Sequence, residues 1–141
     1  MAFIMLLADR SHSKSINITN HKYIDSLYIG CAQALAVIPG VSRSGSTISI
    51  ALLSGWDKKE ATKFSFLLGI PSISLAAFVE FLSSFNDFSK FPTLPLIVGL
   101  ITTFLSSLFA INFLINYISS NGLKLFVLYR LIFGFLILFN L

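Results

Sequence analysis

Apolar residues in this chain run in long blocks and do not alternate with polar ones. The blocks fall at about 1–8, 23–38, 47–56, 61–85, 94–118 and 125–141, with short polar stretches between them. Long non-alternating blocks read as helices, and a helix needs ~20 apolar residues to cross the hydrocarbon core of a bilayer. Blocks 61–85, 94–118 and 125–141 are therefore expected to be transmembrane helices. Block 1–8 is too short to span and reads as the end of a helix that starts elsewhere, so the chain is expected to be part of a longer protein.

Blocks 23–38 and 47–56 are also short, and they flank a polar turn. Together they predict a re-entrant helical hairpin over 23–56, entering and leaving on one side. Irregular backbone at membrane depth is tolerated only against protein or a wet cavity, so the hairpin implies such a cavity. The expected fold class is all-α integral membrane: one membrane domain over 1–141, a re-entrant hairpin plus three transmembrane helices. Trp56 is expected at the membrane interface, followed by a charged hinge at 57–63. Residues 9–22, with Asp9, Arg10, His12, Lys14 and His21, read as a solvated polar loop. Ser65, Gly69, Ser72, Ala76 and Glu80 form a small-residue stripe suited to close helix packing, and Gly99, Thr103, Ser106 and Ala110 form another. Pro71 is expected to bend its helix.

Composition supports this class. Of 141 residues 55% are hydrophobic and 11% charged, and the mean hydropathy is +0.85, which leaves too little polar surface for a soluble domain. The net charge is +4, but the basic residues flank apolar blocks, which points to topology and not to nucleic acid. With a re-entrant hairpin, Arg10, Lys14, Lys22, Lys58, Lys59, Lys63 and Lys124 share one side and Lys90 lies opposite. The first side is then cytoplasmic. Two ordinary spans in place of the hairpin would give the same count. Cys31 reads as a small buried residue without a disulfide partner, no zinc or haem spacing occurs, and no cleavable signal peptide is recognised.

The turn carries the chemistry. It reads Pro39-Gly40-Val41-Ser42-Arg43-Ser44-Gly45-Ser46-Thr47. Proline and glycine stop one helix, and Ser44 or Ser46 is expected to cap the next. A helix N-terminus offers unpaired N–H groups and partial positive charge, and Arg43 adds a planar cationic fork. The expected occupant is a phosphate or diphosphate. The alternative is a plain helix–helix turn with a solvated arginine. A P-loop is excluded: Ser46 stands where the lysine would be, and no strand precedes the turn. Arg130, inside the last block, is costly in a membrane helix unless it pairs, serves a site or snorkels to the interface.

The stretch from Gln33 through Thr47 closely resembles the PGxSRSGxT motif of the bacterial undecaprenyl-diphosphate phosphatases, also called bacitracin resistance proteins. Phe64-Ser-Phe-Leu-Leu-Gly-Ile-Pro71 and Tyr129-Arg130 with Gly134 are similar to two further stretches of that family, in the same order along the chain. The resemblance implies a multi-pass enzyme of the bacterial inner membrane. It removes a phosphate from undecaprenyl diphosphate, giving the lipid carrier for cell-wall synthesis. It also implies a fold of two inverted repeats, each with a re-entrant hairpin, of which this chain is one. Arg43, Ser42 and Thr47 are implied as the catalytic set on the diphosphate. Gly40, Ser44, Gly45, Ser46, Gln33 and Arg130 are expected around the substrate.

The resemblance covers only the family's C-terminal half. The other half carries paired glutamates and a histidine, where this chain has Gln33 and Val37. A divalent cation, Mg or Ca, is implied, with ligands in that missing N-terminal half. The chain alone is therefore expected to be inactive. Expected partners are a polyprenyl diphosphate lipid, the membrane and the missing half; a homodimer is a candidate assembly, and nucleic acid is not a partner. The competing function is a fragment of a transporter for anions or lipid phosphates.

Overall fold

In the computed structural model, which describes residues 1–10, 16–17, 20–85 and 92–139, the elements are helices: α1 (Ala2–Arg10), α2 (Tyr23–Ala34), a 3-10 turn (Leu35–Val37), α3 (Arg43–Leu53), α4 (Lys58–Ser83), α5 (Thr93–Asn121) and α6 (Lys124–Leu138). Local chemistry accounts for the boundaries. Ile38 is extended, at φ −68° and ψ 124°, because Pro39 excludes the α region from the residue before it. Gly40 then takes φ +87°, and the Val41 N–H closes the turn on the Ile38 carbonyl at 3.1 Å. Asp57 caps α4, accepting from the Lys59 N–H at 2.9 Å. Gly122, at φ +72°, ends α5.

Helix α3 is the hub. It packs on α1, α2 and α4, while α1 also meets α6 and α4 meets α5. The core is small: Met5, Ala8, Ile29, Ile48, Ala51, Leu52, Trp56, Ala61, Ile118, Leu123 and Val127. Beyond Gly69 the residues of α4 are exposed or half-buried, and on α5 Ile118 is the buried residue. These bare faces are apolar, as hydrocarbon contact requires. Among the described residues, α4 and α5 are the two helices long and apolar enough to cross a membrane. At 1.5 Å per residue they reach about 39 and 43 Å, whereas α2 and α3 reach only about 18 and 16 Å.

Several expectations need correction. Residues 58–63 are not a hinge but the first turns of α4, which Asp57 caps. Asp9 and Arg10 belong to α1, and Asp9 is buried against Lys58, whose Nζ lies 2.8 Å from Oδ1. The pair meets by charge without a well-aligned hydrogen bond to that oxygen. Trp56 is fully buried rather than interfacial: its ring lies 5.0 Å from those of both His21 and Phe64, so His21 is not a freely solvated loop residue. Cys31 is exposed, not buried. Pro71 lies inside α4, which continues past it to Ser83. The stripe Gly99, Thr103, Ser106 and Ala110 is exposed along its length. His12, Lys14, Asp87 and Lys90 lie outside the described residues.

Candidate functional site

The polar turn is built around the start of α3. The cap is Ser42, not Ser44 or Ser46 as expected: its Oγ accepts from the Gly45 N–H at 3.1 Å, and α3 begins at Arg43. The extended backbone at Ser42 (φ −72°, ψ 122°) puts its hydroxyl over the first turn, two residues earlier than sequence alone suggested. Gly45 is needed there for space. A Cβ at that position would stand 3.0 Å from the Ser42 Cβ and Oγ and 3.2 Å from the Met5 sulfur. Helix geometry leaves the N–H groups of Arg43 and Ser44 without intrahelical acceptors.

The two arginines approach this turn from different elements. Arg130, on α6, donates through Nη2 to the Gly40 carbonyl at 2.7 Å, across ninety residues of sequence. Arg43 lies against α4 and donates through Nη1 to Ser72 Oγ at 2.6 Å, with a longer contact to the Gly69 carbonyl at 3.4 Å. Neither arginine forms an ion pair among the described residues.

A cavity of about 620 Å³ opens on the Arg130 side of the turn. Gly40, Ser42, Ser44, Gly45 and Arg130 form its polar end, and residues such as Phe66, Leu114, Phe126, Phe133 and Ile137 form apolar walls. Hydroxyls, helix-end N–H groups and a cation suit an anionic head, and the walls suit a hydrocarbon chain.

A model of the family described as bacitracin resistance protein BacA matches residues 1–136. The chain belongs to the bacitracin resistance protein family. Proteins named undecaprenyl-diphosphatase from Prochlorococcus marinus strain MIT 9515 and from Prochlorococcus marinus subsp. pastoris strain MED4 are 71% and 73% identical to it over 141 residues, all of this chain and 53% of theirs. One from Synechococcus sp. strain RCC307 is 42% identical over 138 residues, 98% of this chain and 48% of its own. The chain thus spans about half the length of the curated relatives it matches. No solved structure matches.

Within this bacitracin resistance family chain, the residues singled out from sequence divide. Gly40, Ser42, Ser44, Gly45 and Arg130 meet at the cavity's polar end. Arg43 shares their turn but faces α4. Ser46 and Thr47 are buried and turn back on their own helix. Ser46 Oγ donates to the Arg43 carbonyl at 2.9 Å, and Thr47 Oγ1 contacts that carbonyl at 3.0 Å and Ser65 Oγ at 2.6 Å. Of the four hydroxyls of the turn, those of Ser42 and Ser44 open on the cavity and those of Ser46 and Thr47 tie α3 to itself and to α4. Gln33 is half-buried on α2, away from the cavity lining, with Oε1 unpartnered among the described residues. No group of three or more His, Cys, Asp or Glu side chains comes together among the described residues. The described residues at the cavity's polar end offer hydroxyls, helix-end N–H groups and an arginine, a donor set that does not fit a divalent cation. Ser72 and Gly69, read from sequence only as packing residues, are the neighbours of Arg43. The signal was their place on a small-residue face next to a charged turn.

Proposed function

We propose that this chain is the diphosphate-binding half of an undecaprenyl diphosphate phosphatase, an enzyme that hydrolyses the lipid diphosphate to the monophosphate carrier. One observation carries this reading: a cavity joins a polar end (Ser42, Ser44, the start of α3, Arg130) to apolar walls that suit the first part of a hydrocarbon chain. The relatives' name, undecaprenyl-diphosphatase, agrees with it. In this reading Ser42 meets the diphosphate at the cavity, and Arg43 reaches it from the α4 side of the same turn. Ser42 offers its hydroxyl at the cavity; Thr47 acts from behind, fixing the first turn of α3 on Ser65. Gly40, Ser44, Gly45 and Arg130 complete the substrate side at the cavity, with Ser46 behind them on α3 and Gln33 on α2 apart from the lining.

The hairpin α2–α3 is re-entrant, since each arm is far shorter than the ~30 Å core. In this reading helices α4 and α5 cross the bacterial inner membrane, the 15-residue α6 is the third membrane helix, and the other half supplies a second, inverted repeat. Phosphoryl transfer needs charge neutralisation and an activated nucleophile. This half provides cationic and hydrogen-bonding groups, and the base and any divalent cation come from the other half. Nothing favours the transporter alternative.

The test is phosphate release from a polyprenyl diphosphate in detergent, for this chain alone and with the N-terminal half of a relative. Release by the pair and none by the chain alone is expected. No release from a pair shown to assemble would overturn the reading.

A further inference from the structure

We infer that Gly69 and Ser72 of α4 are positioning residues for Arg43, forming a cradle that aims its guanidinium. Two independent features of the geometry support this. The first is a relay: Arg43 Nη1 donates to Ser72 Oγ at 2.6 Å, and that hydroxyl donates to the Gly69 carbonyl at 3.0 Å. The serine thus has its lone pair turned to the arginine and its proton turned away. The second is steric. A Cβ on Gly69 would stand 2.6 Å from Arg43 Nη2 and 3.3 Å from Cζ, so the guanidinium lies against a bare Cα. Gly69 is helical, so its lack of a side chain serves this close approach and not a positive φ.

The acceptors around Arg43 are a hydroxyl and a carbonyl, both neutral. They use one edge of the fork and leave its charge uncompensated among the described residues. A carboxylate in the same place would neutralise the group an anion needs. The fork has five N–H donors, so those not committed to α4 remain for phosphate oxygens. Holding a long side chain in one orientation before the ligand arrives removes an entropic cost from binding. The catalytic consequence of this cradle rests on the phosphatase reading above; the cradle itself does not.

The test uses the complete protein with both halves, carrying Ser72→Ala, Ser72→Thr, Gly69→Ala, or, as a control on an exposed helix face, Ser106→Ala. Arg43 reactivity towards phenylglyoxal is measured by peptide mass spectrometry against exposed Arg10, and polyprenyl diphosphate turnover is measured in parallel. Ser72→Ala and Gly69→Ala are expected to raise Arg43 reactivity. They should also lower kcat/KM by about tenfold or more, the scale of one charge-assisted hydrogen bond. Ser72→Thr, which keeps the hydroxyl, should restore most of both, and Ser106→Ala should change neither. In an Arg43→Ala background Ser72→Ala should cost nothing further, since residues acting as one unit are not additive. Unchanged Arg43 reactivity in both α4 variants overturns the cradle, and so does an undiminished Ser72→Ala effect without Arg43. A wild-type protein that releases no phosphate but shows the expected reactivity changes overturns the phosphatase reading and upholds the cradle.

Discussion

Replacing Lys58 by methionine should destabilise this fold more than its place at the edge of the core suggests. Lys58 is the first residue of α4, and Asp9 is the second-last of α1. Each charge sits at the end of its helix where the macrodipole opposes it. Each is acceptable because it faces the other, at 2.8 Å, with the Asp9 side chain only 3% exposed and that of Lys58 22% exposed. Gly122 closes the arrangement: a Cβ there would stand 2.7 Å from Asp9 Oδ2 and 2.8 Å from Lys58 Nζ. The pair thus pins the end of α1, the start of α4 and the α5–α6 turn at one point. Methionine keeps the lysine stem and removes the charge, leaving a buried carboxylate at a helix C-terminus.

Breaking a buried pair this way costs ~3–5 kcal/mol, and water reaching Lys58 reduces that to about 2–3 kcal/mol. For a protein of the relatives' length this is a fall in Tm of roughly 4–12 °C. The double variant Lys58→Met with Asp9→Asn removes both opposed charges and should recover most of the loss. The assay is thermal and denaturant unfolding of the purified full protein in one detergent, for wild type, both single variants and the double. If Lys58→Met unfolds with wild type, or the double is worse than Lys58→Met, the pair is not the clamp described.

Gly40→Ala should lower stability by about 1–2 kcal/mol through strain at φ +87°, since no atom lies within 4 Å of the added Cβ; unfolding midpoints check this, and an unchanged midpoint refutes it. Thr47→Val should cost about 1–3 kcal/mol because Ser65 loses a buried hydroxyl partner at 2.6 Å; Ser65→Ala added to it should cost little more, and full additivity of the two would count against the pairing. Arg43→Lys should reduce phosphate release more than Arg130→Lys when turnover is compared at matched expression. An ammonium cannot lie flat on Gly69 while also donating to Ser72, but it can reach the single Gly40 carbonyl that Arg130 serves; the reverse order would move the anion site onto α6.

The legible parts of this molecule were those fixed by local chemistry. Pro39 and Gly40 had to break the helix, blocks without alternation had to be helical, and α4 and α5 announced themselves by length. The hidden parts were those fixed by distant partners. Ser42, rather than Ser44 or Ser46, caps α3 because the chain leaves Gly40 extended, and propensity does not distinguish three serines. Trp56 reads as an interfacial aromatic, yet α4 folds back so that Phe64 covers it. Asp9 and Lys58 both look like loop charges until α1 and α4 meet. Ser46 and Thr47 look like ligand hydroxyls until helix phase is imposed: three and four residues after Arg43, they reach its carbonyl instead.

That same phase explains how one turn keeps its two arginines apart. Arg43 is the first residue of α3, and its side chain follows the face that packs on α4, the face that also carries Thr47 to Ser65. Ser42 and Ser44, on either side of it, open on the cavity. Arg130 reaches the tip from α6 and binds the carbonyl of Gly40, whose backbone is left-handed. The tip is thus held on both flanks by cations bonded to neutral oxygens. Such bonds can be exchanged for bonds to phosphate without separating an ion pair, so an entering anion gains charge attraction and loses only neutral hydrogen bonds.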